Sequence, residues 1–121
     1  LILNQRMKQQ QKDFSLPNNY KNAKVDLTTT NNTTVYTCPT ATQTIVKSIL
    51  VNDDSGSGST LDVTLTAGSD VFSLFKTKSI TGNNTVELLT QPVIIQESEI
   101  LKVQAANSDR LHVVVSFLEV T

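Results

Sequence analysis

The stretch VYTCPTATQTIVKSILV, residues Val35 to Val51, reads as two β-type runs joined by a turn segment at Pro39 to Gln43. In the second run Ile45, Ile49 and Val51 fall on one parity and Val46 and Leu50 on the other, so both faces are apolar. Side chains of a strand alternate between its faces, and a run apolar on both is one covered from both sides. The stretch is therefore read as a hairpin, with the rest of the chain as further strands packing onto it.

Downstream, the connection Asn52 to Thr60, NDDSGSGST, is polar and flexible in composition. Leu61 to Thr66 is the cleanest alternation, with Leu61, Val63 and Leu65 facing in and Asp62, Thr64 and Thr66 facing out. After the turn at Ala67 to Ser69, Val71 to Lys76 carries Phe72 and Leu74 on one parity and Val71 and Phe75 on the other. Gly82, Asn83 and Asn84 turn the chain into Thr85 to Thr90. Pro92 cannot donate to a ladder, so an edge strand or a change of sheet is expected before Val93 to Gln96. Glu97 to Glu99 make a tight acidic turn before Ile100 to Ala106, and Asn107 to Asp109 lead into Arg110 to Val120.

That last run, RLHVVVSFLEV, is the longest. Leu111, Val113, Val115 and Phe117 supply a core face, while His112, Val114, Ser116, Leu118 and Val120 form a second face too apolar for bare solvent. Either a second layer covers that face or it lies against another chain. Upstream of the quoted stretch, Lys24 to Thr30 has Val25 and Leu27 on one parity before a turn at Asn31 and Asn32. Short runs at this spacing predict an all-β fold, an antiparallel β-sandwich of jelly-roll-like form.

At 121 residues the chain has the length of one domain, enough to bury roughly two thirds of its unfolded surface without staples. Only 17 % of residues are charged and Trp is absent, a β-and-turn composition rather than a helical one. The single cysteine, Cys38, can close no disulfide within the chain, so stability must come from packing. No apolar run approaches the roughly 18 residues of a membrane span, and LILNQRMKQQQK lacks the apolar segment of a signal peptide. No membrane partner is expected. The chain opens on Leu1 rather than Met, which is consistent with residues missing upstream.

Residues 1–20, LILNQRMKQQQKDFSLPNNY, are polar and Gln-rich, with Leu3, Met7 and Phe14 loosely spaced like one helical face. Pro17, Asn18 and Asn19 punctuate their end, giving an N-terminal arm at 1–20 and a β-sandwich domain at 21–121. The net charge of -1 conceals an asymmetry: residues 1–24 hold five basic groups against one acid, a net of +4, and the remainder five against ten, a net of -5. So few apolar residues cannot offset the entropy of ordering the arm. It is expected to be held against a neighbouring subunit, the alternative being its own sandwich. A basic arm suits an acidic protein surface. It does not interleave aromatics with its charges as base stacking would require, so no nucleic-acid partner is expected.

Catalysis needs converging groups, and none stand at a telling spacing. His112 is the only histidine, which excludes His-based metal sets and relay pairs within one chain. It reads as a surface or interface residue, with a pH-sensitive contact as the sharper hypothesis. Cys38 has no basic neighbour in sequence to favour a thiolate and reads as a small buried hydrophobe. Asp53, Asp54 and Ser55 offer oxygens to calcium, but the spacing lacks the alternating acids and closing Glu of a helix-loop-helix site, so a solvated loop is expected. Asn31, Asn32 and Asn83 begin glycosylation-type triplets that chance explains in a chain this rich in Asn and Thr. Glu97 and Glu99 read as a charged turn rather than an acid pair. The expectation is a protein that is not an enzyme and carries no cofactor or metal.

The segment TTVYTCPTATQTIVKSILVNDD resembles the opening of small virion proteins of tailed bacteriophages, especially those infecting marine bacteria. There a strand ending in a V-Y-T-x-P-like turn leads into an apolar I-V-x-S-I-x-V-x-N strand, which here corresponds to Val35, Tyr36, Thr37 and Pro39, then Ile45, Val46, Ser48, Ile49, Val51 and Asn52. Ile100 to Ala105 after a tight turn, and the closing V-S-F-L-E-V, are similar too. The resemblance covers roughly Thr33 to Thr121. It departs where a glycine is usual, at Ala41 and across Glu97 to Glu99. It implies a β-sandwich used many times in a virion, as a capsid decoration or cement protein or as part of a neck, tail or fibre.

The contacts expected from this reading are Leu3, Arg6, Met7, Lys8, Lys12 and Phe14 in the arm, with Tyr36, His112, Val114 and Leu118 on the body. The expected partners are the major capsid protein, other virion proteins and further copies of the chain, as a homo-oligomer such as a trimer. The alternative is a receptor- or glycan-binding module at a fibre tip, with its function in the loops Asp53 to Ser59 and Gly82 to Asn84.

Overall fold

The structure is a computed structural model and describes residues 18–121. The described residues form nine strands: β1 Asn18–Leu27, β2 Thr33–Thr37, β3 Gln43–Asp53, β4 Ser59–Ala67, β5 Asp70–Ile80, β6 Thr85–Glu87, β7 Val93–Ile95, β8 Ile100–Ala105 and β9 Leu111–Val120. They make two antiparallel sheets. One has the order β1-β9-β3-β6, with β7 also pairing β3, and the other the order β2-β8-β4-β5. The pairs β1–β9, β2–β8, β3–β6/β7 and β4–β5 are nested one inside the next and alternate between the two sheets of the β-sandwich.

The quoted stretch is not a hairpin. β2 pairs β8 in one sheet and β3 pairs β9 in the other, so residues 38–42 carry the chain across the sandwich. The hydrogen bonds that a hairpin turn would satisfy locally go elsewhere: Cys38 N–H donates to Glu99 O (2.9 Å) and Ser98 N–H to Cys38 O (2.9 Å). The Glu97 carboxylate accepts from Ala41 N–H (2.5 Å), and that of Glu99 from Gln96 N–H (2.7 Å). Of the two acids expected as a mere charged turn, the Glu97 side chain thus ties the 96–99 turn to the crossover, while the Glu99 side chain closes the turn itself. Ala41 and Ser98 lie at φ 57° and 70°, in the region glycine favours, at the two turns where the resembling sequences carry glycine.

The two-sided apolarity of β3 also has a different cause from coverage on both faces. The register against β9 shifts between Val46 and Ser48, leaving Lys47 unpaired. A bulge of this kind resets the parity. Val46, Ile49 and Val51 consequently all face the core, at 1 % exposure or less, while Ile45, Ser48 and Leu50 share the outer face. Pro92 marks an interrupted edge, as an edge-strand reading requires. β6 and β7 are successive pieces of one edge on β3, with no change of sheet.

The core lies between the sheets. Val113, Val115 and Phe117 of β9 and the three inward residues of β3 pack against Leu61 and Val63 of β4 and Leu101, Val103 and Ala105 of β8. Each fully buried side chain of this kind contributes about 1.5–3 kcal/mol. β1 begins at Asn18, inside the stretch assigned to the arm, because β9 offers a ten-residue ladder from Leu111 to Val120 that the chain follows without a register shift. Similarly, β5 runs on to Ile80, which is buried, past two register shifts against β4 that the sequence Thr77 to Ser79 does not advertise.

Candidate functional site

The alternation of β9 sends Leu111, Val113, Val115, Phe117 and Glu119 inward and leaves His112, Val114, Ser116, Leu118 and Val120 on the outer face of the five-stranded sheet. The ladders align this outer face into rows. Tyr20, Leu118, Ile45 and Ile94 stand side by side across four strands, and Lys24, Val114, Leu50 and Glu87 do so four residues further along β9. Between them lies Asn22-Ser116-Ser48, and beyond them Asp26-His112-Asn52-Thr85. Tyr20 is 75 % exposed, Ile94 49 % and Leu50 38 %. Among the described residues no further layer covers this face. Of the two coverings expected for it, one, a second layer, is not supplied by the described strands.

Three of the body residues expected at an interface therefore share one surface: His112, Val114 and Leu118, all half-buried by their strand neighbours. His112 Nε2 stands 3.3 Å from Asp26 Oδ1 and its Nδ1 3.8 Å from Asp54 Oδ2, so one end of the face is a His flanked by two carboxylates. At the other end Lys47, freed by the bulge, places its Nζ 5.8 Å from the Tyr20 ring centroid, within cation–π range. The arm contacts Leu3, Arg6, Met7, Lys8, Lys12 and Phe14 lie outside the described residues.

Tyr36 is the correction to the expected set. β2 belongs to the opposite sheet, and the bulge between Thr34 and Tyr36 turns the ring into the seam between the sheets, 4.3 Å from the Phe117 ring centroid. Its hydroxyl donates to Glu119 Oε2 (2.5 Å) and lies 2.7 Å from Thr44 Oγ1, while Glu119 Oε1 meets Lys21 Nζ at 2.8 Å. This polar seam joins β1, β9 and β3 of one sheet to β2 of the other. The Lys21 ammonium, then the Tyr36 hydroxyl, hold the Glu119 carboxyl below its usual range against the opposing effect of burial. Burial, reinforced by the bond to Glu119, pushes the Tyr36 phenol above its usual range. Cys38 is buried as expected, its Sγ 3.3 Å from Thr42 O and 3.4 Å from Thr44 Oγ1.

The loops assigned to the alternative reading also meet. Asp53 is buried rather than solvated, and its Oδ1 accepts from Ser55 N–H (2.8 Å), Ser55 Oγ (2.9 Å) and Gly56 N–H (2.9 Å). Burial raises its pKa, but these bonds and the Gly58 N–H outweigh it and leave the carboxyl below its usual range. Asp53 N–H donates to Asn84 O (3.0 Å), tying residues 53–58 to residues 81–84. Beside them Arg110 Nη1 donates to Gly58 O (2.8 Å) at the rim of an open groove that also takes in Ser57, Ser59, Thr81 and Asn107. Among the described residues no three His, Cys, Asp or Glu side chains are grouped to hold a metal ion, and no helix is long and apolar enough to cross a membrane.

No protein-family model matches the chain, and no curated protein matches it. Among solved structures it is similar to a pentameric capsid protein isolated from metagenomic phage sequences, at 17 % identity and a TM-score of 0.46. The match covers 82 % of this chain and 59 % of that one, so the chain spans less than two thirds of the capsid protein's length.

Proposed function

We propose that this chain is a structural protein of a virus particle, a capsid decoration or cement protein that binds neighbouring capsid subunits or copies of itself. The observation that carries the reading is the apolar row Tyr20-Leu118-Ile45-Ile94 on the outer face of the five-stranded sheet, with Val114 and Leu50 further along the same face, where Tyr20, Ile94 and Leu50 stand in solvent. An exposed apolar row bordered by polar groups suits a protein-binding surface. The resemblance of the β2, β3, β8 and β9 sequences to phage virion proteins supports the same reading, as does the basic charge of residues 1–24 against an acidic remainder. The role requires no catalytic step, cofactor, nucleic acid or membrane; shape and charge complementarity perform it.

The second reading, a receptor- or glycan-binding module on a neck, tail or fibre, is favoured by one observation. The loops 53–58 and 81–84 converge at one end of the sandwich beside the hydroxyl-rich groove at Arg110. Deleting residues 1–16 separates the two, because the nine strands and the core all lie at Asn18 and beyond. Attachment to purified particles, read by co-sedimentation, should fail for the truncated chain under the first reading, whereas binding to host cells should survive under the second. Normal loading of the truncated chain would count against the arm as an attachment device. Counting copies by quantitative mass spectrometry of particles then places the protein: hundreds indicate the capsid surface, a dozen or fewer a neck, tail or fibre.

A further inference from the structure

We propose that the outer face of the five-stranded sheet closes on the same face of a second copy, about a two-fold axis that runs along the strands between β9 and β3. The inference rests on the reading of the chain as an assembly unit and names the partner for that surface. A two-fold contact needs a self-complementary patch, since both copies offer the same residues to it. An axis in this place exchanges β9 with β3, and β1 with the β6/β7 edge, and keeps every row at its own height.

Row by row, the face complements itself under that exchange. In the row Tyr20-Leu118-Ile45-Ile94, Tyr20 meets Ile94 of the second copy and Leu118 meets Ile45. In the row Lys24-Val114-Leu50-Glu87, Val114 meets Leu50 and Lys24 meets Glu87. Ser116 meets Ser48 between them, so apolar groups face apolar groups and polar groups face polar ones.

Charge selects the axis. Lys24 and Glu87 are exposed on the two outer strands, and among the described residues neither has an ion-pair partner in its own chain. Glu87 is held in place by Ile49 N–H, which donates to its Oε2 at 2.8 Å. A two-fold across the strands at the Ser116 row would instead set Glu87 on Ile94, leaving a carboxylate against an apolar side chain. Lys47 and Asp26 have contacts within their own chain, with the Tyr20 ring and with His112. The rows from His112 to Val120 span about 27 Å across four strands ~4.8 Å apart, or about 500 Å² on each copy. A total of about 1,000 Å² is at the low end of specific interfaces, so the dimer forms as concentration rises.

The test mixes isotope-labelled and unlabelled full chains and treats them with a carbodiimide, which joins a lysine amine to a carboxylate without a spacer. Within one chain Lys24 and Glu87 lie three strand spacings apart, about 14 Å, so a bond between them forms only between copies. The expected result is a Lys24–Glu87 crosslink that joins labelled to unlabelled chains, with a sedimenting mass that rises toward two chains as concentration increases. Lys24→Glu should weaken association at least tenfold at an unchanged thermal midpoint, because it places two like-charge contacts in each dimer. Mixing it with Glu87→Lys should restore association, each copy supplying the opposite charge to the other. Should Glu87→Lys fail to fold for want of its bond to Ile49, the crosslink on the unaltered chain decides alone.

A monomer at every concentration, or a dimer without the Lys24–Glu87 bond, overturns the inference. If the chain stays monomeric while Tyr20→Asp/Ile94→Asp abolishes binding to particles, the face belongs to a capsid subunit and this inference alone falls. If that variant also binds particles as the wild type does, the assembly-unit reading falls with it.

Discussion

Gly82→Ala should be the most damaging single methyl group that can be added to the loop end of the sandwich. A Cβ at Gly82 would stand 2.2 Å from the backbone oxygen of Gly56 and 2.5 Å from its carbonyl carbon, so relief requires the two loops to separate. Separation in turn disturbs the bond from Asp53 N–H to Asn84 O that closes the end of β3 onto β6. Overpacking against backbone, which cannot rotate away as a side chain can, is expected to cost about 3 kcal/mol, or roughly 10–15 °C in Tm for a domain of this size. Gly68→Ala is the matched control. Gly68 has φ +63° with nothing within 4 Å of an added Cβ, so only backbone strain remains, at about 1 kcal/mol. Denaturant midpoints at unchanged slope check the pair. A Gly82→Ala protein as stable as Gly68→Ala would contradict the close approach of the two loops.

Lys21→Met should be the second large effect, and it should depend on pH. Lys21 is half exposed and Glu119 is buried, so the substitution leaves a carboxylate in the seam with Tyr36 but without its counter-charge. Breaking a fully buried pair costs about 3–5 kcal/mol; the solvent access of Lys21 reduces the expectation to about 2 kcal/mol. The Glu119 pKa is depressed in the folded protein, chiefly by Lys21. Its contribution to stability is therefore present above the unfolded carboxyl value, about 4.3, and is lost as pH falls through the lower folded value. Without Lys21, burial acts upward on that pKa with less to oppose it. The stability gap between the two proteins should be widest near neutral pH and close on acidification, as urea titrations from pH 7 downward would show. A gap that stays constant with pH would mean that Lys21 stabilises by packing its stem rather than by its charge.

Much of the sandwich is legible in the sequence because one-sided burial writes a period of two. Leu61 and Val63 in β4 and the four apolar inward residues of β9 stand where their parity puts them, fully buried or nearly so. Pairing partners are less legible. β2 and β3 are close in sequence and the turn between them contains Pro39, yet their ladders lie in opposite sheets, because the partners that satisfy them, β8 and β9, lie far along the chain. The bulge at Lys47 hides in the same way: two one-sided patterns set out of phase look like one two-sided pattern. Of the candidate surface, the outer half of β9 could be read directly, but its neighbours Tyr20, Ile45 and Ile94 join it only through the register of three ladders. Glu119 carries a sequence signal of its own. It continues the inward parity of Leu111 to Phe117, and an acid on a core face must find partners, which places Tyr36 and Lys21 beside it.

The central claim is that the outer face of the five-stranded sheet is where this protein docks, and paired variants test it most directly. Tyr20→Asp/Ile94→Asp alters that face at residues 75 % and 49 % exposed, and Val71→Asp/Phe72→Asp alters exposed apolar residues of the other sheet, at 63 % and 55 %, so neither pair removes a core side chain. Binding to purified particles, measured by quantitative co-sedimentation, should fall at least tenfold for the first pair, the equivalent of about 1.4 kcal/mol, and stay near wild type for the second. Wild-type binding by the Tyr20/Ile94 variant together with loss in the Val71/Phe72 variant would contradict the account.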